Sequence, residues 1–322
     1  MKYNELAQNF NPTFRIGFYG LSKEEKNEIQ DILGDEFYSF YEASLIKNNE
    51  LLNKPDIILA KKNDERLERI KKYCVASSLN VTENQMESSD TVCFKDDEST
   101  EESKRRILDG AIIGNTQKIS QIINQNEDSL AVIFELLKKK DPHTYQHILN
   151  VAEYSEQICE ELGVDEEQIE RIRLAAYLYD IGKLCLPDSV LFNTTPKLSK
   201  EKWDVMTRHV EMAIRLIPSK YMVDEFSDIK EMVIEHHERL DGSGYPNKEK
   251  NISFGARILA VCDTYDAVTT KCSYQDKHTN EQAMMILDKL SAGAEPKLDR
   301  DIVTALEQTL EYNNACSKTV II

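Results

Sequence analysis

Long apolar runs are missing from this 322-residue chain. None approaches the roughly 20 consecutive apolar residues of a membrane helix, so no span is expected. The opening M-K-Y-N-E-L-A-Q-N-F also lacks the apolar core of a signal peptide. Paired cysteines are missing too. Cys74, Cys93, Cys159, Cys185, Cys262, Cys272 and Cys316 are scattered with no C-x-x-C, mostly in apolar stretches where a buried free thiol is the default. This argues for a reduced cytoplasmic setting rather than a disulfide framework. Positive charge is scarce: 40 Lys and Arg face 57 Asp and Glu, a net charge of −17. A nucleic-acid polymer needs a basic footprint and is therefore not an expected partner. A small anionic ligand is not excluded, given metal or a few local cations to offset the repulsion. Histidine is scarce as well, with six residues, so their placement is informative.

An apolar content of 41% and a charged content of 30% describe an ordinary globular chain, long enough for two domains. In residues 1–99 the pattern is α/β. F-R-I-G-F-Y-G reads as a strand, and Ser22 to Leu33 as a helix with Ser22 and Glu25 forming a capping box. P-D-I-I-L-A then reads as a buried strand, Asp64 to Leu79 as a helix and Thr91 to Lys95 as a short strand. Alternation of this kind implies a parallel sheet. This part resembles a response-regulator receiver domain: P-D-I-I-L-A-K matches the family's third strand and C-F-K-D its fifth, with the lysine at Lys95. Lys61 stands where the phosphorylatable aspartate should be and the paired acids are absent, so the resemblance implies a degenerate receiver. An unrelated small α/β domain is the other reading. The acidic segment 83–102 reads as a solvated loop.

Residues 100–140 carry a helical pattern. Leu108, Ile112, Asn115, Ile119, Ile122, Asn126, Ser129, Ile133 and Leu136 follow alternating spacings of four and three. This is a heptad seam, and polar Asn115 and Asn126 could set register in a parallel homodimer. An ordinary amphipathic helix packed on its own domain fits the pattern equally.

Residues 141–322 hold the chemistry. Asp141-Pro142 opens a helix, with aspartate as N-cap and proline at the first position, and places His143 and His147 one turn apart. Asp180 ends an apolar helix and is followed by Lys183. His209 comes next, then H-H-E-R-L-D-G-S-G-Y-P from His236 to Pro246, then Asp263 inside apolar A-V-C-D. Carboxylates in such surroundings are costly to bury unpaired, and imidazole is a common transition-metal ligand. Five histidines and two such aspartates within this stretch point to a helical metal site.

Residues 141 to about 312 resemble HD-GYP domains, a branch of the HD-domain metal-dependent phosphohydrolases that cleave cyclic di-GMP. The motifs are L-Y-D-I-G-K-L-C-L-P-D, His209, H-H-E-R-L-D-G-S-G-Y-P, A-R-I-L-A-V-C-D-T-Y-D-A-V-T-T and L-D-R-D-I-V. The resemblance implies an all-helical bundle around a metal cluster, usually iron or manganese, and so a mostly α chain behind a small N-terminal α/β domain. It implies that His147, Asp180 and Asp263 serve one ion, while bridging Asp180 joins His209, His236 and His237 on a second. His143 falls at a third-metal position. Asp180 and Lys183 take catalytic roles, with Lys183 near the scissile phosphate. Asp241, Gly242, Gly244, Tyr245 and Pro246 form the loop associated with ligand or protein partners.

Three departures qualify the expected activity. Tyr179 replaces the histidine of the HD pair, and a neutral phenol is a poor ligand. Cys272 and Gln275 stand at basic positions that grip the phosphates, each contact worth about 1.5–3 kcal/mol. The family's K-P-G is Asn193-Thr194-Thr195 here, with proline displaced to Pro196. One or two ions are expected, with hydrolysis weak or lost and a regulatory role through ligand or partner binding. An active phosphodiesterase on cyclic di-GMP or a related phosphoester is the alternative, and a purely structural metalloprotein a third.

Overall fold

Phe14, Ile16 and Phe18 alternate along the first strand and are almost fully buried, as a half-buried strand requires. The structure, a computed structural model, describes residues 13–19, 22–42, 56–60, 91–92, 100–193, 197–223, 226–270 and 278–319. The chain divides into two compact units, 1–136 with 185–193, and 137–184 with 194–322. It is mostly helical, and among the described residues no helix is long and apolar enough to cross a membrane.

The first unit holds β1 (Phe14–Tyr19), α1 (Lys23–Leu33), β2 (Tyr38–Glu42), β3 (Ile57–Ala60), β4 (Thr91–Val92) and α2 (Thr100–Asn124). The sheet is wholly parallel in the order β2-β1-β3-β4, with Ile16 opposite Ile57 and Ile58 opposite Thr91. The parallel α/β expectation is met, but two readings need correction. Tyr38–Glu42 is a strand the pattern did not announce. Thr91–Val92 lies directly beside β3, the fourth place in a doubly wound order 2-1-3-4-5, rather than the fifth. A short apolar run signals a strand but not its neighbour. The expected helix 64–79, Lys61 and Lys95 lie outside the described residues.

Gly114 explains how α2 lies on this sheet. A side-chain carbon at Gly114 would stand 1.9 Å from the Asp56 carbonyl oxygen, so only glycine allows the approach. One turn on, Lys118 pairs with buried Asp56, whose carboxylate also accepts the Arg15 N–H at 2.5 Å. The helical pattern of residues 100–140 is not one continuous helix. The helix stops at Asn124 and restarts as α3 (Ser129–Lys140), where Asp128 accepts the Ala131 N–H. Ile112, Ile119, Ile122, Ile133 and Leu136 are buried within the single chain. Asn115 donates to the Cys185 carbonyl at 3.0 Å, and Asn126 to that of Ile122 at 2.6 Å. The four–three pattern reflects packing inside the chain.

The second unit comprises α4 (Pro142–Glu161), α5 (Glu166–Leu178), the 3-10 turn Ile181–Cys185, α6 (Lys200–Met206), α7 (His209–Leu216), α8 (Ser227–Glu235), α9 (Phe254–Thr269), α10 (Asn280–Ser291) and α11 (Arg300–Thr319). Helix α4 packs on α5, α9 and α11, and α8 packs on α5. Asp141 caps α4 as expected, accepting the His143 and Thr144 N–H groups at 3.1 Å, with Pro142 opening the helix. The apolar faces of α4 (Ile148, Val151, Ile158) and α9 (Ile258, Leu259, Val261) meet as core and carry His147 and Asp263 inward with them.

Candidate metal centre

Each acidic or imidazole group here is placed by a local feature of the chain. His147 shares the buried face of α4 with Ile148 and Val151. Asp180 follows the C-cap of α5, and His209 opens α7. Gly182 brings these two together, since a side-chain carbon there would stand 1.9 Å from the His209 carbonyl oxygen. His236 closes α8 with His237 after it, and Asp263 sits within α9.

Two groups result: His209, His236 and His237, and His147, Asp180 and Asp263. Within each group the ligand atoms lie within 4.8 Å of one another. His209 Nδ1 donates to the Met206 carbonyl and His236 Nδ1 to the Val233 carbonyl, both at 2.7 Å. A carbonyl only accepts, so Nε2 of each ring keeps its lone pair. These two Nε2 atoms lie 3.5 Å apart, and His209 Nε2 is 3.4 Å from Asp180 Oδ1. Asp180 Oδ2 accepts from Lys183 Nζ at 2.6 Å and lies 3.8 Å from His147 Nε2. Asp263 links the groups, with Oδ1 3.0 Å from His147 Nε2 and Oδ2 3.9 Å from His237 Nδ1.

Burial and mutual proximity keep three imidazoles neutral. His236 is pushed down to about 4 by burial and then by His209. Burial also lowers His209, and burial with His236 takes His237 well below the usual range. His147 behaves oppositely. Burial, the largest influence, disfavours its charge, but hydrogen bonds to Asp263 and Asp266 outweigh burial and hold it at about 9. Burial likewise opposes the charge on Asp180, yet Lys183, His209 and His147 draw its carboxyl below the ordinary range.

This donor set fits a metal ion. Asp180 Oδ1 is buried with no hydrogen-bond partner, and bare imidazole nitrogens converge beside it. An orphaned buried acceptor of that kind costs about 1–3 kcal/mol unless something binds it.

Tyr179 fills the position between the groups. It is fully buried, edge-on to His236 (4.8 Å between centroids) and to His147 (6.0 Å). Its hydroxyl reaches Asp263 Oδ1 only at 3.5 Å. Burial and then Asp180 raise its phenol well above the normal value, so it stays protonated. His143 is exposed on the first turn of α4 and belongs to neither group. Cys272 and Gln275 lie outside the described residues.

The loop after His237 is organised by Glu238, which the sequence reading passed over. Its buried carboxylate accepts the N–H groups of Asn247, Lys248 and Glu249 at 2.6, 3.0 and 3.1 Å. Asp241 accepts the Ser243 N–H at 2.9 Å, and Gly242 adopts φ 77°. A side-chain carbon at Gly244 would meet the His237 carbonyl oxygen at 2.5 Å. Tyr245 thereby lies against His237, centroids 4.6 Å apart, ahead of Pro246. Asp266 was also missed. It meets His147 Nδ1 at 2.5 Å and accepts from Asn150 at 2.8 Å, orienting the ring as carboxylates behind ligand histidines do. The signal was present: Asp263 and Asp266 are three apart on one face of an apolar helix.

A family model described as HD domain matches residues 131–302. The chain belongs to the HD-domain family, and its H-H-E-R-L-D-G-S-G-Y-P segment places it in the HD-GYP branch. Among curated relatives, it is 33% identical over 172 residues to 3′3′-cGAMP-specific phosphodiesterase 2 of Vibrio cholerae, covering 52% of this chain and 32% of that one. It is 32% identical over 177 residues to a cyclic di-GMP phosphodiesterase of Thermotoga maritima, covering 53% and 48%. It is 30% identical over 172 residues to the cyclic di-GMP phosphodiesterase response regulator RpfG of Xanthomonas campestris, covering 52% and 45%. The chain thus spans about half or less of the length of these relatives. A solved HDG"Y"P protein of Bdellovibrio bacteriovorus, Bd1817, aligns at TM-score 0.45 and 16% identity, covering 65% of this chain and 72% of that one.

Proposed function

We propose that this chain is a cyclic dinucleotide signalling protein with an asymmetric metal site and weak or lost hydrolysis. The observation that carries this reading is Tyr179, a buried, protonated phenol standing where the family's ligand histidine would complete the His147, Asp180 and Asp263 group. His209, His236, His237 and Asp180 would hold one ion with a full set of donors. The other group, one ligand short, would hold a second ion weakly. Mixed imidazole and carboxylate donors suit iron or manganese. When bound, such an ion activates water and stabilises the charge that develops on a phosphoryl group. Lys183, fixed by Asp180 at 2.6 Å, sets a cation beside that position. Asp266 holds the His147 ring, and Glu238 holds the loop that presents Tyr245 and Pro246 as a ligand or partner surface.

The retained Lys183–Asp180 pair favours a second reading, an active phosphodiesterase on cyclic di-GMP or a related phosphoester. Turnover of cyclic di-GMP separates the two. It is followed by chromatography after anaerobic loading with iron or manganese, beside a Tyr179→His, Cys272→Arg, Gln275→Arg variant. Activity in the variant alone supports a regulatory role, and comparable activity in both overturns it.

A further inference from the structure

Where α4 packs on α9, two pairs of residues three apart face each other: His147 with Asn150, and Asp263 with Asp266. Three contacts join them. His147 Nε2 lies 3.0 Å from Asp263 Oδ1, and His147 Nδ1 lies 2.5 Å from Asp266 Oδ2. Asn150 Nδ2 donates to Asp266 Oδ1 at 2.8 Å. Asp266 is buried, and His147 and Asn150 occupy its two oxygens, one each.

The polarity of this set runs outward from Asp266. A carboxylate only accepts, so the Asn150 amide turns its amino group towards Asp266 and its oxygen away. That oxygen accepts from Gln146 Nε2 at 2.8 Å on the exposed side of α4, which satisfies the amide at both ends. With Oδ1 taken by Asn150, Oδ2 is the oxygen aimed at His147 Nδ1, and the ring holds a proton there. Nε2 is then the nitrogen turned towards Asp180 and Asp263. The His147 group has little to spare, because Tyr179 adds no ligand to it. If Asp266 rotated away, the ring would lose its hold and two carboxylates would remain.

We propose that Asn150 is a positioning residue for the metal centre, an assignment that rests on the metal-site reading above. By holding Asp266 Oδ1 it aims Oδ2 at His147 and keeps Nε2 of that ring directed at the ion. It touches no ligand itself and acts through Asp266.

Two substitutions separate this role from a purely structural one. Asn150→Leu removes the donor at similar size. Asn150→Arg restores a donor while adding a positive charge that by itself would repel a cation. Leucine and arginine are both strong helix formers, and urea unfolding followed by Trp203, the only tryptophan in the chain, checks that each variant is folded. The full chain, carrying isotope-labelled histidine and stripped of metal, is compared by NMR. The His147 Nδ1 proton, identified by its loss in His147→Gln, is expected far downfield, as a short hydrogen bond to a carboxylate requires. It moves upfield in Asn150→Leu and returns in Asn150→Arg. Manganese titration then reads the ions. The weaker one loses roughly tenfold in affinity in Asn150→Leu and recovers in Asn150→Arg despite the added charge, while the tighter one is unchanged in both. A His147 proton that does not move in Asn150→Leu, or that is lost equally in Asn150→Arg, overturns the role of Asn150 and leaves the metal-site reading standing. A proton that moves and returns as expected in a chain that binds no manganese upholds the link from Asn150 to His147 and overturns the metal-site reading.

Discussion

Replacing Asp266 by asparagine tests whether His147 carries charge in the metal-free chain. The ring is clamped by two carboxylates, Asp266 at 2.5 Å on Nδ1 and Asp263 at 3.0 Å on Nε2. Its folded value of about 9 lies above the ordinary 6.5. A raised value contributes stability that is fully present below about pH 6.5 and is lost as pH rises through 9. At about 1.4 kcal/mol per pH unit this is on the order of 3 kcal/mol. Asparagine keeps the shape but removes one of the two negative charges, so roughly half should go: about 1–2 kcal/mol at pH 6, shrinking towards pH 10. Urea unfolding of chelator-treated protein, followed by Trp203 fluorescence, reads the second unit alone. A destabilisation that stays constant from pH 6 to 10 would refute a charged His147 and the role given to its clamp.

Two further perturbations probe the scaffold. Glu238→Ala strips three backbone N–H groups of their acceptor. Charged hydrogen bonds are worth about 1.5–3 kcal/mol each. Because Asn247, Lys248 and Glu249 are exposed and water can replace part of that, about 2–4 kcal/mol is expected, with faster amide exchange across 244–250. Unchanged exchange would remove Glu238 as organiser of the loop. Gly182→Ala forces the 3-10 turn away from the His209 carbonyl, costing at least the roughly 1–3 kcal/mol of an overpacked core. Bound metal, measured by mass spectrometry, should fall with it, and full metal content would show that the close approach does not set the Asp180–His209 spacing.

Much of the site was legible because the residue types are rare and their surroundings apolar. His147, Asp180, His209, His236, His237 and Asp263 stand out in the sequence, and the fold gathers their side chains into two adjoining groups. Glu238 was not legible as a site residue, because its role lies in the three loop N–H groups it accepts from, 9 to 11 residues further on, and Asp266 was legible only through its spacing from Asp263. The four–three pattern of residues 108–136 shows the same limit. Spacing shows which face of a helix is apolar, not what covers it, and Ile119 and Ile133 are covered within their own chain. Gly114 sits inside a helix, where glycine costs about 1 kcal/mol relative to alanine. Only contact with Asp56, nearly sixty residues earlier, shows why no side chain fits there.

The most direct test is the number of ions held per chain after reconstitution with manganese or iron and removal of loosely bound metal, compared with Tyr179→His. The native chain should retain close to one ion, because His209, His236, His237 and Asp180 are complete and the His147 group is not. The histidine variant should retain close to two. Two tightly held ions in the native chain, or no gain in the variant, would contradict an asymmetric site governed by Tyr179.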